Sequence, residues 1–282
     1  MALNRKTFFA YARRAPFGGR LSTAQVDGCN RLIDTCQSEG VTDLRHQAYV
    51  LASVFHETGA RMQPVRETFA SSDAAAVSAL EKAWRAGKLG QVRQPYWRKG
   101  WFGRGDIQIT HQENYCKLGA VIGVNLEDHP ELALDPKVSA RIAVVGMRDG
   151  LFAKAKLADF FQPGFSDPVS ARRIVNGKDK ARLIAAHYKA FHDALVAADT
   201  ETPQPADVTP ADAEPDDVPP SKSASVGTVA VTTGAGAAAS LVAAVQSPWA
   251  AVALVAILIA AAVGAWLLLT GRLTINRAKA AS

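Results

Sequence analysis

Apolar side chains recur at helical spacing through most of residues 1–198. Val26, Cys29, Leu32, Ile33 and Cys36 fall on one face of a helix, and Ser22 with Gln25 has the spacing of a capping box at its start. Gly40 ends that helix. A second is expected from near Thr42, with Leu44, Ala48, Leu51, Ala52 and Phe55 as its buried stripe and Gly59 as its stop. Val77, Leu80 and Trp84 predict another over 76–87, and further helices are expected over 111–122, 136–153, 167–175 and 178–197. Residues 1–19 are basic and aromatic and read as a short element packed on the domain. The Gly-, Pro- and aromatic-rich stretch 88–106 reads as loop or short strand. The fold class is mainly α, with at most a small β element.

The pattern changes at 199. Pro and acidic residues replace large apolar ones, so the segment buries too little surface to offset its ordering entropy. Residues 199–247 are expected to be a disordered linker, acidic at first and then Gly/Ala-rich, with 226–246 as an alternative weak membrane helix. Residues 249–269 are uncharged and mostly apolar, long enough to span roughly 31 Å at the helical rise. This predicts a single transmembrane helix over 248–270, with Trp249 and Trp266 near the two interfaces and a basic tail over 271–282. Arg272, Arg277 and Lys279 put the tail on the cytoplasmic side and residues 1–198 on the other. Yet the N-terminus shows no apolar stretch of signal-peptide length to carry them across.

Residues 1–198 hold 28 Lys and Arg against 19 Asp and Glu, a balance of +9. Such a domain attracts an anionic polymer or membrane face. No nucleic-acid motif accompanies the charge, so nucleic acid is not an expected partner. Cys29, Cys36 and Cys116 lack the spacing of a disulfide framework or a four-ligand zinc site, and the first two read as small buried residues of one helix face. His56-Glu57 is not the start of a zinc-protease motif, because position 60 is Ala60.

Glu57, in FHETG, and Glu67, in VRETF, are two carboxyl groups near a Gly- and aromatic-rich segment, WFGRGDIQITHQENY at 101–115. Cleaving a glycosidic bond uses one protonated and one ionised carboxyl group. Taken alone, each glutamate has a plainer reading. Glu57 would be a surface residue at a helix end, and Glu67 the partner of Arg61 or Arg66.

Three stretches in one order carry more weight: His56-Glu57-Thr58, then Phe102-Gly103-Arg104-Gly105-Asp106-Ile107-Gln108-Ile109-Thr110-His111, then Asn176-Gly177. They resemble the signature of glycoside hydrolase family 19, which includes chitinases and the lysozyme-like endolysins of phages and prophages. The resemblance covers roughly residues 20–197 and is nearest the endolysin branch. Asp106 departs from the apolar residue or Pro common at its position, and the disulfides of plant chitinases have no counterpart.

The resemblance implies a lysozyme-like α+β catalytic domain with little β and inversion at the anomeric carbon. Glu57 would be the general acid, keeping its proton in a partly dehydrated cleft. Glu67 would be the general base, and Thr110 would help hold the attacking water. Gln108, His111, Asn114 and Asn176 match positions that bind sugar or brace the cleft. His56 would orient the site, and Arg104 would pair with a catalytic carboxylate. Tyr96, Trp97, Trp101 and Phe102 are candidates for stacking on sugar, Trp101 foremost. No metal or organic cofactor is implied.

The expected function is hydrolysis of the β-1,4 glycan of peptidoglycan by an enzyme anchored in the cell inner membrane and acting on the wall side, with a holin-like lysis partner. The alternatives are a chitinase acting on chitin, and a catalytically silent membrane-anchored glycan-binding module.

Overall fold

Helix α3 (Leu44–Glu57) is the centre of the computed structural model, which describes residues 3–90, 92–199, 209–218 and 275–276. Asp43 caps it by accepting the Arg45 N–H, and every residue from Gln47 to Phe55 is buried. The sequence pattern implied one buried stripe, whereas the helix is enclosed on all sides. Its main partner is α7 (Ala181–Asp199), which in turn packs on α1 (Arg5–Arg14). Phe8, Phe17, Phe55 and Phe191 meet at this junction, with Phe17 and Phe55 edge to face at 5.3 Å. Each such ring, fully buried, contributes roughly 1.5–3 kcal/mol.

Helix α2 (Thr23–Ser38) begins with the expected capping box between Ser22 and Gln25. It buries Cys29, Leu32, Ile33 and Cys36 and packs against α6 (Pro136–Asp149). A Cβ at Gly28 would lie 1.9 Å from the Met62 carbonyl oxygen, so only glycine lets α2 approach the chain that follows α3. All three cysteines are free thiols, and burial pushes the Cys29 and Cys36 thiols far up. Two smaller cores complete this part. Helix α5 (Gln112–Ile122) and α6 enclose Ile109, Tyr115 and Leu118, while α4 (Asp73–Arg85) covers Trp97 and Phe102 with Leu80.

The strands among the described residues are two-residue pairs, all antiparallel: β1 (Val65–Arg66) with β2 (Arg104–Gly105), β3 (Phe161–Gln162) with β4 (Phe165–Ser166), and β5 (Asp217–Val218) with β6 (Ile275–Asn276). The expected helix at 167–175 is a 3-10 helix over Ser170–Ile174. Helix α6 stops at Asp149, four residues early, because Gly150 adopts φ 72° and caps it.

The expected disorder of 199–247 does not describe residues 209–214. A 3-10 turn at Pro210–Ala213 lies on α1, where Arg13 Nε donates to the Asp212 carbonyl at 2.6 Å and the same guanidinium reaches the Glu214 carbonyl. Composition did not reveal this, because backbone carbonyls satisfy the nearly buried Arg13 and need no apolar side chains. The chain divides into two units, Met1–Glu214 and Pro215–Ser282. Among the described residues no helix is long and apolar enough to cross a membrane. The expected span at 248–270 and its flanking arginines lie outside the described residues.

Candidate active site

Glu57 is the last residue of α3. Thr58 ends the helix: its hydroxyl donates to the Val54 carbonyl at 2.7 Å and accepts the Met62 N–H at 3.0 Å. That fixes the turn and makes the helix end a rigid platform. Glu57 Oε1 accepts a hydrogen bond from Arg172 Nη1 at 2.7 Å. Arg172 comes from the 3-10 helix at 170–174, is buried, and also donates from Nε to the Asp179 carbonyl at 3.1 Å. Asn176 hangs from the same turn, its N–H bonded to the Arg172 carbonyl and its side-chain oxygen to the Gly177 N–H. His56 is half-buried beside Glu57. Burial holds its imidazole below the ordinary range, against the upward pull of the Glu57 charge.

Glu67 follows β1. Its backbone N–H donates to the Gly103 carbonyl at 2.7 Å, and the Gly103 N–H returns a bond to Oε2 at 2.7 Å. Tyr96 Oη donates to Oε1 at 2.8 Å. Both carboxylate oxygens are thus occupied by donors, and the group is fixed without a salt bridge to Arg61 or Arg66. The Tyr96 hydroxyl is held well above its ordinary range by burial first and then by Glu67, so it stays a donor. His111 lies over the Tyr96 ring at 4.7 Å. Gly103 is small for a reason: a Cβ there would meet Gln108 Oε1 at 2.9 Å.

The two glutamates form separate clusters, Glu57 with Arg172 and Asn176, and Glu67 with Tyr96, Gly103 and His111. The chain between them is folded back on itself. Thr68 and Phe69 adopt φ 63° and 55°, unfavourable for a β-branched and an aromatic residue. This places the Phe69 ring over Gly59, with Arg61 stacked on its outer face at 4.6 Å. Backbone strain held in place by packing is typical of ligand-binding sites.

Arg104 does not pair with either glutamate, contrary to expectation. It is buried, donates to Asp73 at 2.8 Å, to the Gly100 carbonyl and to the Tyr115 hydroxyl, and stacks on Phe102 at 3.7 Å. The β1–β2 register sets Arg104 opposite Arg66, and Asp73 bridges the two, one carboxylate oxygen to each. Arg172, which the sequence reading missed, pairs with Glu57 instead. Asp106 is fully buried and takes two bonds from Arg31, at 2.5 and 3.1 Å, while its N–H meets the Ser139 hydroxyl. Burial pushes its carboxyl up, and Arg31 opposes this. The departure from an apolar residue at 106 is therefore a latch that ties the motif loop to α2.

Thr110 is half-buried just before His111, which adopts φ 69° and bonds through its N–H to the Trp101 carbonyl. Asn114 donates to the Thr110 carbonyl at 2.7 Å and braces that turn. Among the aromatic candidates, Trp97 and Phe102 are buried in the small core under α4 and cannot stack on sugar. Tyr96 holds Glu67. Trp101 is half-buried and leans on Tyr115 at 5.4 Å, which leaves it as the candidate with an open edge. Among the described residues no group of acidic, His and Cys side chains has the geometry of a metal site.

Residues 48–149 match the family model for glycoside hydrolase 19, chitinase class I. Endochitinase 4 of Solanum tuberosum is 49% identical over 45 residues, which is 16% of this chain and 15% of that protein. Acidic endochitinase pcht28 of Solanum chilense is 46% identical over 56 residues, 19% of this chain and 22% of that protein. The chain thus spans a small part of the length of the relatives it matches. A crystal structure of a chitinase C mutant aligns over 72% of this chain and 94% of its own, at 19% identity and a TM-score of 0.38. The matched residues include Glu57, Glu67 and the β1–β2 pair, so it is this stretch, residues 48–149, that is similar to the chitinase class I type of glycoside hydrolase.

Proposed function

We propose that this protein hydrolyses β-1,4 bonds of the peptidoglycan glycan by inverting acid–base catalysis, in the manner of an endolysin. The observation that carries the catalytic part is the contrast between the two glutamates. Glu67 is oriented by the Gly103 N–H and the Tyr96 hydroxyl, which suits a carboxylate that takes a proton from water. Glu57 has one oxygen on Arg172, and Oε2 has no hydrogen bond among the described residues. That oxygen is the one to carry the proton handed to the leaving group. Inversion follows if a water fits between the two groups, with Thr110 helping to hold it.

The +9 balance of residues 1–198 favours an anionic wall polymer over a neutral one. A second reading, cleavage of chitin, is favoured by the endochitinases among the relatives. In the proposal, the apolar segment at 248–270 anchors the enzyme in the inner membrane with the catalytic domain on the wall side, and a holin-like partner disturbs the membrane before lysis. Mass spectrometry of fragments released from purified peptidoglycan tests the substrate. New reducing ends on the glycan are expected. Release from chitin oligomers alone would replace this reading with the second.

A further inference from the structure

Beside the Glu57–Arg172 pair the surface opens into a cavity of about 750 Å³, lined by Val169, Ser170, Arg173, Lys178, Arg182 and Leu183, among others. Lys180 lines it too, so four cationic side chains surround one concavity. Among the described residues none of the four forms an ion pair, and all four are exposed. Arg173 Nε donates only to the nearby Ser170 carbonyl, and its guanidinium lies over the Phe160 ring at 5.1 Å. The one carboxylate within this run, Asp179, is outweighed. Val169 and Leu183 add exposed apolar surface, 42% and 47% accessible.

Unpaired like charges held together repel one another, and an anionic ligand relieves that repulsion. The cavity begins one residue from Arg172, the side chain that holds Glu57. Arg172 also bonds the Asp179 carbonyl, between Lys178 and Lys180, so the cavity wall and Glu57 are tied to one guanidinium, and a glycan cleaved at Glu57 would have this wall within reach of its substituents. A neutral chitin chain offers nothing for four cations. A glycan whose sugars carry short peptides with free carboxylates and small aliphatic side chains matches both the charge and the apolar patch.

We infer that this cavity binds the acidic stem peptide of peptidoglycan and so sets the preference for peptide-bearing glycan over bare glycan. The inference rests on the proposed peptidoglycan reading. Its test uses the full chain in detergent, with Lys178, Lys180 and Arg182 changed together to Ala. All three are exposed, so the fold is retained.

Binding is measured by co-sedimentation with intact wall sacculi and with bead-coupled glycan strands stripped of stem peptides by an amidase, and turnover is measured on the same materials and on chitin oligomers. The triple variant should bind intact sacculi about tenfold more weakly, as expected from a few tenths to one kcal/mol for each exposed charge. It should bind the stripped, bead-coupled glycan and cleave chitin oligomers as the unchanged chain does. Equal binding of intact sacculi by both chains, or an equal loss on every material, would overturn the inference. A loss confined to vesicles of anionic phospholipid would also overturn it, and would assign the surface to the membrane. If the unchanged chain binds but cleaves no peptidoglycan, the proposed function fails while the binding comparison still decides this inference.

Discussion

Glu57 and Glu67 differ in what holds them, and each difference can be measured. Glu57→Gln keeps the hydrogen bond to Arg172 but carries no proton to give, so turnover should fall roughly 10²–10⁴-fold. Near-normal turnover by a folded variant would remove Glu57 from the mechanism. Tyr96→Phe deletes one of the two donors that orient Glu67. A hydrogen bond to a charged group contributes about 1.5–3 kcal/mol, so kcat should drop by roughly one to two orders of magnitude. KM should change little, because the ring remains; a change confined to KM would make Tyr96 a sugar contact instead. At this scale Glu57, Glu67 and Thr110 were legible as motif positions. Arg172 was not. It precedes Arg173, and adjacent residues of one type cannot be told apart until the 3-10 turn buries the first and exposes the second.

Elements are held to one another by a few buried polar contacts. The Arg31–Asp106 pair joins α2 to the motif loop. Removing one partner of a buried pair costs about 3–5 kcal/mol, so Asp106→Ala should lower the unfolding midpoint strongly in denaturant titrations. An unchanged midpoint would show that the latch is not structural. Where α3 meets α7, His56 and His187 both have imidazoles held below the ordinary range, chiefly by burial. The unfolded chain then takes up protons first as pH falls below about 6.5, so these groups lose stability in that direction. The melting temperature should decline from pH 7 to pH 5, and His187→Gln should flatten that decline. A steeper decline in the variant would contradict the assignment. The helices themselves were legible from apolar spacing. The completeness of α3 burial was not, because its small residues Ala48, Ala52 and Ser53 pack against neighbours that no local pattern announces.

For the whole molecule, the boundary of the first compact unit lies at Glu214 in the structure and near Ala198 by composition. A chain ending at Ala198 should still fold, since the core is complete by α7. A chain ending at Glu214 should be more stable by about 1–3 kcal/mol, because Arg13 regains its carbonyl acceptors. Equal melting temperatures would make the 209–214 strap incidental. Composition and periodicity determined that the domain is helical, that its character changes after 198 and that 249–269 is an apolar run of membrane length. Motif order singled out Glu57 and Glu67 among the carboxylates. These are local properties, carried by spacing and side-chain type. Only the tertiary structure decided that Arg172 rather than Arg104 meets Glu57, that Trp97 and Phe102 are core, and that four cations converge on one cavity. The Arg172–Glu57 pairing joins residues 115 positions apart. A charged group's partner is chosen by what burial brings within reach, and that is a property of the folded chain alone.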